Sequence, residues 1–212
     1  MSLNLRYMRL ADIRQVAAID VICFEPPWSY ESYTFEINES RVSHMVVLEQ
    51  LSDDAPLVPK PRQSLRSRLR DKLRGHSPAN YSTGEILGYG GLWKIEGEAH
   101  ISTIAIHPAN RGLGYGEILL AGMFGKALQL DAEYIVLEVR VSNSVAQGLY
   151  RKYGFNRIAR KKNYYRGDNE DAWDMRVSLD RDTRLRFGRL YEKLRLQHGF
   201  SDAYSRAARP RG

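Results

Sequence analysis

The sequence predicts a mixed α/β fold, a central sheet flanked by helices, and three observations predict it. Runs of β-branched and aliphatic residues with period-two alternation recur between turn signals. Amphipathic stretches with helical spacing lie between them. The two kinds of segment follow one another as β-α-β-α-β-β after two leading helices and strands, which is the order of a mixed sheet with helical connections. With 212 residues, 43% hydrophobic and 27% charged, the chain can build one sizeable core with appendages.

Each element has its own justification. In "ADIRQVAAIDVICF" (11–24), Ile13, Val16, Ala17, Ile19 or Asp20 and Cys23 fall on or near one helical stripe, and "EPPW" then forbids continuation and forces a loop. "YESYTFEINES" reads as a second short helix and "SHMVVLEQ" as a strand. Residues 51–82, rich in Pro, Ser, Arg and Asp, read as an insertion between two neighbouring strands. Inside it Leu65, Leu69 and Leu73 recur every four residues among arginines, which suits a short basic helix, with disorder in isolation as the alternative. "EILGYGGLWKI" and "AHISTIAIHP" are the next strands. In the helix "EILLAGMFGKALQL", Leu119, Met123, Ala127 and Leu130 share a face. "YIVLEVRV" (134–141) is a strand, followed by a Ser/Asn cap at 142–144, a helix lined by Ala146, Leu149, Tyr150 and Tyr153, and Gly154 as its stop. "NRIARKKNYY" and "EDAWDMRVSL" close the sheet as an antiparallel pair. In the tail Phe187, Leu190, Tyr191 and Leu194 follow i, i+3, i+4, i+7, so a basic amphipathic helix is expected there.

Charge is unevenly placed along the chain. Of the net +7, residues 60–75 carry seven basic side chains against Asp71, and residues 181–212 carry nine against Asp182, Glu192 and Asp202. The remainder is therefore acidic, and the basic character belongs to two appendages. Cys23 is the lone cysteine, read as a small buried residue; it excludes an intrachain disulfide and a cysteine-rich metal cluster. The histidines show no metal-ligand spacing, so no metal is expected, and His107, before Pro108, reads as a turn residue. "MSLNLRYMRLADIRQ" has no apolar core of signal-peptide length and no stretch approaches the roughly 18 apolar residues of a membrane span, so a cytoplasmic location is expected.

Chemistry first shows at "RGLGYGE", between a strand and a helix. A turn at a helix N-terminus exposes unpaired backbone N–H groups at the positive end of the dipole, a ready site for a phosphate or pyrophosphate. It is not a dinucleotide fingerprint, because Glu117 stands where the third glycine is required, and no Gly-Lys-Ser/Thr follows to make a P-loop. What remains is Arg-x-x-Gly-x-Gly, with Arg111, Gly114 and Gly116, directly after a strand ending "IAIHP". That pattern resembles the pyrophosphate-binding motif of the GCN5-related N-acetyltransferases (GNAT). Within that superfamily "LEVRVSNSVAQGLYRKYGF", "KKNYY", "EDAWDM" and the early "PPWSYESY" resemble the RimI-type N-terminal (ribosomal-protein-alanine) acetyltransferases, in register over roughly residues 5–50 and 84–178. The resemblance implies a GNAT domain over 1–180, a mainly antiparallel sheet with splayed middle strands, and acetyl-CoA as co-substrate. The chain departs from the compact form in the basic insertion at 51–82 and in the basic C-terminal tail, 181–212.

The strand at 134–141 carries a glutamate that alternation places with Val136 and Arg140, opposite Ile135, Leu137, Val139 and Val141. From the residues alone, Glu138 either pairs with a neighbouring cation or accepts a proton. The resemblance assigns Glu138 to the general base, which an amine acceptor needs because an α-ammonium, with a pKa of about 7.7–8.0, must lose a proton. It likewise makes Tyr150 the acid that protonates the departing sulfur, where the alternative is a core tyrosine. Asn143 matches a contact to the CoA arm or its water, where simple N-capping is the alternative. Ile104, Ala105 and Ile106 would offer free backbone groups, one of them polarising the thioester carbonyl, and Arg111, Gly112, Leu113, Gly114, Tyr115 and Gly116 would cradle the pyrophosphate. Acceptor recognition would fall to Pro27, Trp28, Tyr30, Tyr164 and Tyr165, where plain packing is the alternative. The implied activity is acetylation of a protein N-terminus, on a small-subunit ribosomal protein beginning with alanine, with the basic appendages directed at the ribosome or another acidic surface. A lysine or small-amine acetyltransferase and a non-catalytic acyl-CoA-sensing or ribosome-binding module stand as alternatives.

Overall fold

The computed structural model describes residues 2–51 and 84–210; the stretch 52–83, with its leucine repeat and the 60–75 basic run, lies outside the described residues. Among the described residues eight strands form one sheet: β1 (Ser2–Tyr7), β2 (Ser43–Leu51), β3 (Glu85–Ile95), β4 (Glu98–Ile106), β5 (Tyr134–Arg140), β6 (Asn156–Tyr165), β7 (Glu170–Ser178) and β8 (Ser201–Ala203). Their order is β6-β7-β5-β4-β3-β2-β1-β8. Neighbours are antiparallel except β4/β5 and β1/β8, which are parallel. The helices are α1 (Ile13–Cys23), α2 (Tyr30–Asn38), α3 (Tyr115–Gln129), α4 (Ser144–Lys152) and α5 (Arg181–His198).

Sequence chemistry sets the helix ends. The Ser29 hydroxyl accepts from the Ser32 amide to start α2, the Asn143 side chain from the Ala146 amide to start α4, and Asp180 from the Thr183 amide to start α5. Gly154 after α4 and Gly199 after α5 take positive φ, where a Cβ would be strained. Apolar side chains then build two clusters, one on each face of the sheet. The larger joins α3, α4 and α5 to the sheet through Leu119, Met123, Phe124, Tyr153 and Phe155; the smaller joins α1 and α2 through Ile13, Val16, Ile19 and Tyr33. Full burial of one such side chain is worth about 1.5–3 kcal/mol, so these clusters hold the sheet.

Two irregularities shape the centre. β4 pairs with β5 only from Glu98/Tyr134 to Ile101/Leu137, whereas β4 stays on β3 to Ile106 and β5 stays on β7 to Arg140. The strands therefore splay beyond Ile101, leaving the β5-facing edge of β4 unpaired. A register shift in the β3/β4 pairing at Gly91/Leu92 puts Ser102 in a bulge, and side-chain alternation slips by one residue there. Ala99 and Ile101 face the larger cluster before the bulge, and Ile104 packs on it after the bulge while Ala105 joins the smaller one.

The tail beyond residue 180 is built into this core. Phe187, Leu190 and Tyr191 of α5 pack on the larger cluster, and Leu194, Phe200 and Tyr204 are buried within it.

Candidate active site

Glu138 sits where β4 and β5 part. Its Oε2 lies 2.8 Å from His100 Nε2 and its Oε1 accepts from Lys161 Nζ at 2.5 Å. Lys161 also reaches Asp174 Oδ2 at 3.2 Å, the residue paired with Glu138 across β5/β7. The Glu138 side chain is 11% exposed and that of His100 23%, so both border the opening while remaining largely desolvated. Burial alone would push the Glu138 carboxyl up, but the hydrogen bonds and charges of His100 and Lys161 outweigh it and hold the pKa at about 2.

The aromatic loops gather around this pair. Trp28 stacks on Trp93 with centroids 6.4 Å apart, and Trp93 meets the His100 ring edge-on at 5.6 Å. Asp20, buried on the apolar stripe of α1, explains why the loop takes this position: its Oδ2 accepts from the Trp28 amide at 2.6 Å and its Oδ1 from the Tyr89 hydroxyl. The Trp93 indole N–H donates to Glu36 of α2 at 2.9 Å. Tyr30 is 55% exposed at the start of α2, and Pro27 is exposed beside it. On the far side Tyr164, 44% exposed, lies under Lys161, while Tyr165 packs edge-on against Tyr164 and under the Arg140 guanidinium at 4.0 Å. A Cβ on Gly167 would stand 3.5 Å from the Glu25 side chain, so the β6–β7 turn and the first loop approach one another.

Tyr150 enters from the α4 side. Its side chain is 5% exposed, and among the described residues its hydroxyl makes no hydrogen bond. Burial, with a smaller contribution from Tyr165, pushes its pKa well up, so the hydroxyl keeps its proton. Gln147, one turn earlier, anchors the helix to the end of β5 by donating to the carbonyls of Arg140 and Val141. Asn143 serves as the N-cap, its oxygen engaged by the Ala146 amide at 3.0 Å.

The glycine turn has the form a phosphate needs. Gly112 and Gly114 take φ of +79° and +81°, and no atom lies within 4 Å of where a Cβ on Gly112 would be. Tyr115 and Gly116 open α3, whose first N–H groups have no helical partner. The Arg111 side chain folds back, its Nε donating to the Ile106 carbonyl at 3.2 Å and its Nη2 to Cys23 Sγ at 3.3 Å, so the turn is exposed at Gly112 and Leu113 while His198 covers Gly114. Cys23 is thus half-exposed rather than buried, because it ends α1 at the rim where β4 finishes. His107 caps a short turn through its ring nitrogen. The unpaired edge of β4 runs into this turn through Ile106, His198 of α5 stands against Gly114, and Tyr150 belongs to the larger core cluster.

Residues 45–155 match the profile of the acetyltransferase (GNAT) family. The chain belongs to that family. Among relatives of this GNAT protein, one from Bacillus subtilis, provisionally named a [ribosomal protein bS18]-alanine N-acetyltransferase, is 33% identical over 175 residues, 82% of this chain and 95% of the relative. The N-alpha-acetyltransferase RimI of Mycobacterium tuberculosis is 35% identical over 109 residues, 47% of this chain and 67% of the relative. The GNAT fold is matched by the Escherichia coli ribosomal-protein-S18-alanine N-acetyltransferase crystal structure at a TM-score of 0.63 and 20% identity, covering 84% of this chain and 94% of that one. The mixed sheet with splayed middle strands is therefore the GNAT sheet.

Sequence reasoning missed His100, Lys161 and Trp93. His100 and Glu138 stand on the same face of adjacent strands, a signal present in the alternation of "EAHIS" against "YIVLEVR" but readable only once the register is known.

Proposed function

We propose that this GNAT enzyme moves the acetyl group of acetyl-CoA to the free α-amino group of a protein N-terminus by direct transfer in a ternary complex. The observation that carries the reading is Glu138 and His100 paired at the mouth of the splay beneath two aromatic loops. The names of the relatives support an N-terminal acceptor, and those that specify ribosomal protein bS18-alanine point to a small-subunit ribosomal protein.

Acetyl-CoA supplies the activated acyl group when bound, and the chain's own residues do the rest. The backbone of Arg111, Gly112, Leu113, Gly114, Tyr115 and Gly116 holds the pyrophosphate. The free edge at Ile104, Ala105 and Ile106 aligns the arm and offers an N–H to the thioester carbonyl oxygen, with Asn143 beside it. Pro27, Trp28, Tyr30, Tyr164 and Tyr165 enclose the acceptor's first residues.

The proton budget distinguishes the roles of Glu138 and His100. A carboxylate held at about 2 by His100 and Lys161 is by itself a poor acceptor for an α-ammonium proton, and His100 Nε2 stands 2.8 Å from it at the opening. The pair therefore works as a unit: the imidazole accepts the ammonium proton and Glu138 orients and stabilises the imidazolium. At the other end the Tyr150 hydroxyl supplies the proton for the departing sulfur.

The basic face of α5, with Arg181, Arg189, Lys193 and Arg195 exposed, and the 60–75 run would draw the enzyme to an acidic surface such as the ribosome. Three matched peptides test the reading, one with a free N-terminal alanine, one with a free N-terminal methionine, and one blocked with an internal lysine. Transfer confined to the free α-amines is the expected result; labelling of the blocked peptide would reassign the enzyme to lysines.

A further inference from the structure

The chain does not trail away after α5. Gly199 turns it at φ +59°, and Ser201–Ala203 joins the sheet beside β1. Asp202 gathers the next turn by accepting from the amides of Tyr204 and Ser205 at 2.9 and 2.8 Å. The fully buried Tyr204 donates its hydroxyl to the His44 carbonyl at 2.8 Å, and Lys126 of α3 donates to the Ala207 carbonyl at 2.6 Å. These contacts fix the path as far as residue 207.

Two residues later the Arg209 guanidinium donates to the carbonyls of Glu36 at 3.0 Å, Ile37 at 2.9 Å and Ser40. The Glu36 and Ile37 carbonyls belong to the last turn of α2 and Ser40 follows its cap, where a helix has no backbone partners to offer and where positive charge is favoured by the dipole. Arg209 is thus a C-terminal cap delivered from the far end of the chain. α2 carries the acceptor side of the cleft at both levels. Its first residue is Tyr30, directly after the Trp28 loop, and the Glu36 side chain holds Trp93, which touches Trp28 and His100.

We propose that Arg209 is a positioning residue for the acceptor: by holding the last turn of α2 it fixes Glu36, and through Glu36 the tryptophan pair that borders the incoming amine. The proposal rests on the acceptor-site reading above and deepens it, because it gives the C-terminal segment control of acceptor binding and not of acetyl-CoA binding. Only a guanidinium suits the task fully, since its planar fork serves several carbonyls at once where an ammonium offers a point charge.

The test is steady-state kinetics and acetyl-CoA binding for Arg209→Ala and Arg209→Lys in the full chain. Arg209→Ala is expected to raise the KM for the alanine peptide about tenfold, leave the acetyl-CoA Kd within twofold, and shift the tryptophan emission to the red; Arg209→Lys should recover part of each change. If the wild type proves to use a lysine or small-amine acceptor, the N-terminal reading fails and the same comparison is made with that acceptor. An acceptor KM within twofold of wild type, or an acetyl-CoA Kd that rises in step with it, overturns the proposal. A far-UV spectrum matching wild type excludes general unfolding as the cause.

Discussion

Replacing Glu138 by Gln removes one charge and almost no volume, and the structure sets what that should do. The carboxylate engages His100 at 2.8 Å in a part-buried setting. A hydrogen bond to a charged group is worth about 1.5–3 kcal/mol, and the imidazolium formed on proton uptake would lose that stabilisation. At about 1.36 kcal/mol per decade the loss in kcat/KM is about 10- to 150-fold. Lys161 keeps Asp174 at 3.2 Å and is not left unpaired, so the change should stay local. The assay is thiol release with the alanine peptide from pH 6 to 9, alongside acetyl-CoA binding, which should be unaffected. His100→Gln should lose a similar amount, and the double variant little more than either single one, because the two residues act as a unit. A Glu138→Gln enzyme within threefold of wild type at every pH would refute the pairing. So would a His100→Gln enzyme with full turnover, which would return the base role to the carboxylate alone.

Tyr150→Phe keeps the buried ring and removes the proton source, so kcat should fall about 10²-fold or more while the acetyl-CoA Kd stays within a few-fold; equal losses in both would show a packing role instead. Stability should fall as pH drops from about 6.5 to about 4, because burial and the charges of Lys126 and Arg209 hold His44 at about 4 and neutral in the fold, whereas the unfolded chain takes up a proton below 6.5. The contribution is of the order of 3 kcal/mol, and His44→Gln should flatten that part of the denaturation profile; parallel profiles would contradict it. Glu138, also depressed, adds stability that is present above about 4.5 and lost as pH falls toward 2. Neutralising the arginines of 60–75, or Arg189 and Arg195 of α5, should weaken association with ribosomes and flatten its dependence on salt; unchanged binding would remove the docking role.

Local signals carried much of this structure. β3 and β6 run over the residues expected, Glu85–Ile95 and Asn156–Tyr165, because glycine, asparagine and charge punctuate both ends. Glu138 stood out because alternation placed an ionisable group where a buried strand has no local use for one. The glycine turn was legible because positive φ at Gly112 and Gly114 is a backbone demand that shows in residue type. What could not be read is non-local. β1 announces itself only through its pairing with β2 some forty residues on, and β8 has three residues and no pattern. Asp20 shared with Ile19 one place on or near the apolar stripe, and only the fold shows it anchoring Trp28. Arg209 lies among the basic residues of the tail that are expected to be directed at an acidic surface; its partners are the carbonyls of a helix about 170 positions earlier.

The short eighth strand bears on how the molecule avoids its own kind. A sheet this wide has two margins through which another copy could extend it, each a row of unsatisfied amides and carbonyls. At one margin β8 covers β1 over Asn4–Arg6, and the chain turns away at once, so little template is left. At the other, β6 is interrupted by two register shifts and carries Arg157, Arg160, Lys161 and Lys162 along its length. Repulsion guards the long margin and brevity guards the short one, so edge-to-edge polymerisation is disfavoured on both sides.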